Sequence, residues 1–152
     1  MKKRHEILFN QLHTYRNELL NELNGINEEK ANIIPKGFNN NIRWNLGHVY
    51  LDQFLWIQEL TKKTIDIPNI FHTSFGFRTS PNDFVTETPS TADLKERLKS
   101  QPTYIQNEYG HRLEEEFPPI DMGIRTIEQV LMRTVFHEGM HMQAIIDIKK
   151  FL

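Results

Sequence analysis

Three histidines at helical spacing carry most of the chemistry this chain could do. His137 and His141 stand four apart in the string His137-Glu138-Gly139-Met140-His141, and His48 closes an earlier string, Trp44-Asn45-Leu46-Gly47-His48. Side chains four apart on a helix lie about 5 to 6 Å apart at Cβ, so two imidazoles can converge on one ion about 2.0 to 2.1 Å from each ring nitrogen. Without an ion, two neighbouring core imidazoles must each find a buried partner, and protonating either costs desolvation; one divalent ion satisfies both. A lone inward histidine such as His48 is more often a hydrogen-bonded core residue than a ligand, so the pair carries the argument. Cysteine is absent, which excludes disulfides, thiolate nucleophiles and Cys-type zinc or iron–sulfur sites. Any metal must take nitrogen or oxygen ligands.

The elements that position these residues follow from hydrophobic spacing. Ile127, Val130, Thr134, His137, His141, Ile145 and Ile148 recur by threes and fours, a core stripe on a helix over about residues 125 to 151. Trp44, His48, Leu51 and Leu55 form an equivalent stripe on a helix over about 42 to 61, which turns His48 towards the same interior. Leu8, Leu12, Tyr15, Leu19 and Leu23 predict a first helix over about 3 to 24, ended near Gly25. Residues 24 to 41, with Gly25, Pro35, Gly37 and Asn39 to Asn41, read as connection. Ser90 with Asp93 predicts the start of a third helix carrying Leu94, Leu98, Ile105 and Leu113 to about residue 115, and Pro102 should kink or split it near Ser100. Between the second and third of these helices, Ile65 to Pro89 reads as a long, partly buried loop without regular structure, expected to cover the open side of a metal. The prediction is an all-α, four-helix, up-and-down-type bundle forming one domain over residues 1–152.

Composition narrows the function classes. Apolar residues make up 38% and charged residues 25% of 152, the balance of a soluble globular protein. Eighteen Lys and Arg against twenty Asp and Glu leave a net charge of −2, too near neutrality for phosphate-backbone binding, so nucleic acid is not expected as a partner. The basic start runs into mixed polar sequence instead of a signal-peptide core, and no run approaches the roughly 18 apolar residues of a membrane span, so no membrane partner is expected and the setting is read as cytoplasmic.

The string at 137–141 also matches the H-E-x-x-H pattern of zinc proteases, in which the glutamate activates water. Those enzymes need a third ligand downstream; only eleven residues follow His141, none of them His or Glu, and Asp147 lies on a different face. Glu138 sits about 100° round the helix from His137, so it is not assigned as a base. Asp52, four residues past His48, could reach inward; as a ligand it would close the site and make the metal structural. Arg78, in the aromatic loop Phe71 to Phe84, could bind an anionic substrate bidentately or merely pin the loop by a salt bridge. His5, His13, His72 and His111 are expected on solvated surface. Since free imidazole titrates near 6.5, metal binding is expected to weaken below about pH 6.

Taken together, Trp44-Asn45-Leu46-Gly47-His48, Phe75-Gly76-Phe77-Arg78-Thr79-Ser80-Pro81, Pro89-Ser90 and His137-Glu138-Gly139-Met140-His141 make the whole chain resemble the DinB-like (damage-inducible B, YfiT-like) metalloenzyme family. The resemblance implies a four-helix bundle whose metal ligands are one histidine of the second helix and an H-x-x-x-H pair of the fourth, carried over here onto His48, His137 and His141. Characterised relatives include low-molecular-weight-thiol transferases and a thiol-dependent isomerase. The resemblance therefore implies one divalent metal ion (imidazole ligation does not separate zinc, nickel, iron or copper) and a metal-dependent transferase acting with a small thiol on an electrophilic small-molecule substrate. The rival readings are a metal- or ligand-binding stress protein without turnover, and a helical interaction module whose histidines are only core. Relatives often pair, which implies a homodimer. Many members follow the last ligand with a Gly-Gln step, where this chain has Met142, Gln143 and Ala144, so whether Gln143 takes that glutamine's place is left open.

Overall fold

The computed structural model describes residues 1–152 and contains helices and no strands. Four long helices, α1 (Lys3–Asn21), α3 (Ile42–Thr61), α5 (Thr91–Tyr109) and α6 (Ile127–Lys149), make the bundle, with short α2 (Glu28–Asn32) and α4 (Asn69–Phe75) in the connections. Local chemistry sets the starts. Asn41, Ser90 and Thr126 each accept from the backbone N–H three residues on, and Gln129 returns the bond in a capping box on α6.

Helix α3 packs on α5 and α6, and α1 on the same two, so α1 and α3 are diagonal partners. Contacts along α1 and α6 advance together, from Arg4–Glu128 through Arg16–Glu138 to Lys149–Glu22, so these helices run parallel. Those of α3 and α5 also advance together, with Gln101 Nε2 donating to Tyr50 O at 2.8 Å and the Phe54 and Tyr104 rings 5.7 Å apart. Between α3 and α6 the order reverses, Asp52 meeting Arg133 while Asn45 meets His141. Because α3 and α5 point the same way, the chain between them must return along the bundle, which is the topological reason for the long segment after α3.

That segment departs from the expected irregular loop. Pro68 and Gly76 flank a two-turn helix, α4, whose Phe71 and Phe75 are buried, and Pro81–Asp83 forms a 3-10 turn capped by Ser80. The flanking breakers hid this helix in the sequence because both are legitimate at helix ends. The connection at 24–41 likewise holds α2, capped by Asn27.

Three further expectations are corrected. Helix α1 turns Arg16 inward (2% exposed) and Tyr15 outward (39%), because Arg16 finds a buried partner on α6. His5, expected at the surface, is 5% exposed. Helix α5 ends at Tyr109 and runs unbroken through Pro102. The carbonyl that Pro102 cannot engage belongs to Leu98, and Arg16 Nη1 donates to it at 2.6 Å, so the freed acceptor is satisfied instead of opening the helix.

Candidate metal centre

One ring nitrogen of each of His48, His137 and His141 lies within 4.8 Å of the others. Each remaining ring nitrogen has a partner that fixes the tautomer. His48 Nδ1 donates to the Phe75 carbonyl at 2.8 Å. His137 Nδ1 lies 3.1 Å from Asp52 Oδ2. His141 Nδ1 is 2.8 Å from Asn45 Oδ1, and the Asn45 amide nitrogen already donates to Asn40 Oδ1 and Asn41 O, which leaves Oδ1 as the acceptor. A carbonyl, a carboxylate and an amide oxygen only accept, so all three imidazoles carry their proton on Nδ1 and present Nε2 as a lone pair. Nε2 of His137 and Nε2 of His141 face one another at 3.1 Å. Two lone pairs at that distance repel unless a cation lies between them, and outer-shell acceptors of this kind are what metal-ligating imidazoles carry. The donor set therefore fits a divalent ion.

The local sequence explains how these rings are held. A Cβ on Gly47 would lie 2.3 Å from the Phe75 ring, so glycine lets α4 press against α3 and bring the Phe75 carbonyl to His48. Trp44 stacks on His48, rings 4.7 Å apart and 9° from coplanar, and its Nε1 donates to Thr79 Oγ1 at 3.0 Å. Thr79 in turn donates to Gly76 O at 2.7 Å, tying the loop to the site. Asp52 bridges His137 and Arg133 and accepts from Trp56 Nε1 at 3.2 Å, while the Arg133 guanidinium lies 4.3 Å over the Trp56 ring.

Burial first, then the charge of Arg133 and the neighbouring His48, pushes His137 down to about 3. Burial, followed by His137 and His48, outweighs Asp52 and pushes His141 down to about 3. Both rings stay neutral at pH 7 as ligands must, and they take up protons at much lower pH than free imidazole, which titrates near 6.5.

A cavity of about 1210 Å³ opens beside His48 and His137. Gly76 and Phe77 of the long segment form one wall, so that segment does pack at the His48 end. Pro118 to Asp121, from the connection after α5, form another wall that nothing in the sequence signalled. Leu55 and Trp56 give it apolar surface, and its charges are mixed, Lys62 paired with Glu59, Arg133 with Asp52, and Asp121 beside them.

Of the other candidates, Arg78 is exposed with a left-handed backbone (φ +69°), its guanidinium 5.6 Å from the Phe77 ring. Gln143 is exposed and donates to Asp147 at 3.1 Å, away from the imidazoles. Glu138 is buried in an ion pair with Arg16, Nε to Oε1 at 2.5 Å and Nη2 to Oε2 at 3.0 Å, which removes it from the zinc-protease role its motif suggests. The sequence signalled neither Asn45 nor Arg133 as a support: Asn45, three residues before His48 on α3, reaches across to His141 on α6, and Arg133, four residues before His137, acts on that ring through Asp52.

No curated protein matches this chain. The model of the DinB superfamily matches residues 11–145, which include all three histidines. With that match across most of the bundle, the chain belongs to the DinB superfamily.

Proposed function

We propose that His48, His137 and His141 hold one divalent metal ion through Nε2, and that the protein is a metal-dependent transferase that joins a small thiol to an electrophilic substrate. The observation that carries this reading is the set of three Nδ1 atoms on fixed acceptors, which leaves three lone pairs converging beside an open cavity. Three protein ligands leave a coordination position for an exogenous group, and a divalent ion there acts as a Lewis acid that makes a thiol or water a stronger acid.

The chain's own residues do the rest. Asp52 holds the His137 proton on Nδ1 and fixes the ring's orientation, while Trp44 keeps the His48 ring from rotating. Trp56 and Phe77 offer apolar surface to the carbon part of a substrate, and Arg78, beside Phe77, offers charge to an anionic one.

Cobalt substitution tests both halves. A small thiol, imidazole or azide should change the visible spectrum of the cobalt protein, and His141→Ala should lose that spectrum. Transfer of a small thiol to a model electrophile should depend on the metal. A spectrum indifferent to saturating thiol would refute the open position; a thiol-sensitive spectrum without turnover would favour a metal- or ligand-binding stress protein instead.

A further inference from the structure

A second cluster of metal-ligating side chains lies where the start of α1, the turn after α5 and the start of α6 meet. His5, Glu114 and Glu128 each place a ligand atom within 4.8 Å of the others. His5 is 5% exposed, and its Nε2 has no hydrogen-bond partner. An orphaned buried ring nitrogen is rare, and its surroundings suggest what it lacks. Nε2 points between Glu114 Oε1 at 3.5 Å and Glu128 Oε2 at 3.7 Å, too far for a hydrogen bond to either. Two atoms each about 2.1 Å from one ion at a tetrahedral angle stand about 3.4 Å apart, so these separations are close to the edges of a coordination shell. We propose that His5, Glu114 and Glu128 form a second divalent-cation site, with one imidazole and two carboxylates suited to zinc or an ion of similar preference.

The carboxylates are not idle. Lys2 binds Glu114 at 2.6 Å, and Arg4 pairs with both Glu114 and Glu128. Lys2 and Arg4 are 60% and 54% exposed in their side chains, and ion pairs of that exposure contribute little. Both cations are long side chains that can turn into water, whereas His5 cannot leave the core to find another partner. A dication therefore displaces weak contacts and satisfies a group that has none. An ion can reach the cluster through a cavity of about 820 Å³ bordered by His5, Glu114, Gln106, Asn107 and His111. The site would tie three chain segments together at the end of the bundle where residues 5 and 128 meet, while Asn45, in the first turn of α3, pairs with His141 far along α6.

The test uses the full chain, stripped of metal and carrying His141→Ala to remove the three-imidazole site, titrated with zinc against a chromophoric chelator. One equivalent of zinc should remain bound. Adding His5→Gln should weaken it by more than about 100-fold, beyond the 10–100-fold that loss of a mere supporting partner produces. Glu128→Gln, nearly isosteric and checked for fold by circular dichroism, should weaken it as well if His5→Gln proves unstable. Absence of any zinc equivalent in the His141→Ala protein, or an equivalent that survives both added substitutions, would overturn the proposal. Neither outcome bears on the three-imidazole site.

Discussion

Replacing Glu138 by Gln should destabilise the bundle without emptying the metal centre. Arg16 and Glu138 are 2% and 4% exposed, and Arg16 also donates to Leu98 O, to Gln101 Oε1 at 3.1 Å and to Gln53 Oε1 at 3.3 Å. Removing the carboxylate charge strands a guanidinium in the core, a defect that costs about 3 to 5 kcal/mol. Because three neutral acceptors remain, the lower figure of about 3 kcal/mol applies, a substantial part of the roughly 5 to 15 kcal/mol that stabilises a domain. For a chain of this size each kcal/mol moves Tm by about 2 to 4 °C, so Tm should fall by about 6 to 12 °C. Thermal unfolding followed by circular dichroism measures the fall, and metal analysis of the folded variant should match wild type. Replacing both partners by apolar residues, as in Arg16→Met with Glu138→Leu, should recover much of the loss. A Glu138→Gln protein as stable as wild type, with intact metal and abolished activity, would refute the reasoning and restore Glu138 to the role its motif suggests.

Three other outcomes follow from the geometry. Asp52→Asn should lower metal affinity about 10- to 100-fold by loosening His137 and leaving Arg133 unpaired, read by chelator competition; unchanged affinity would contradict the supporting role. Gly47→Ala should cost about 1 to 3 kcal/mol in denaturant unfolding and weaken metal binding through His48, because its Cβ collides with the Phe75 ring; a neutral effect on both would show that Phe75 does not position His48. Metal-free protein should lose stability on acidification. His137 and His141 have folded-state values near 3, below the unfolded 6.5, so the unfolded chain binds more protons between these limits; their contribution is complete above about pH 6.5 and declines towards pH 3. Each adds a slope of up to about 1.4 kcal/mol per pH unit, and His141→Phe should flatten the profile; an unchanged slope would refute the assignment.

The long helices were legible because burial imposes a period on their apolar residues, and on α6 the histidines share the stripe of Ile127, Val130 and Ile145. Their packing was less so. Arg16 reads as a surface charge until Glu138, 122 positions away, turns out to share its interior, and that partner also determines which face of α1 points inward. The same pair explains why Pro102 does not break α5, since the proline's unmet carbonyl is one of Arg16's acceptors. Helix α4 was invisible because two turns with a proline before and a glycine after look like a loop. The ligand-bearing motifs could be seen, but their supports could not. Asn45 and Asp52 act across to α6, and the Phe75 carbonyl is a backbone atom that no side-chain pattern announces.

One ion shared by the three imidazoles is the central prediction, and a crystal structure of the zinc-loaded protein with diffraction data on both sides of the zinc absorption edge tests it most directly. The predicted result is an anomalous peak about 2.0 to 2.1 Å from Nε2 of His48, His137 and His141, with density for a non-protein ligand on the side of the cavity. A zinc-saturated crystal with no peak among those three rings, or a peak that Asp52 ligates in place of an open position, would contradict it.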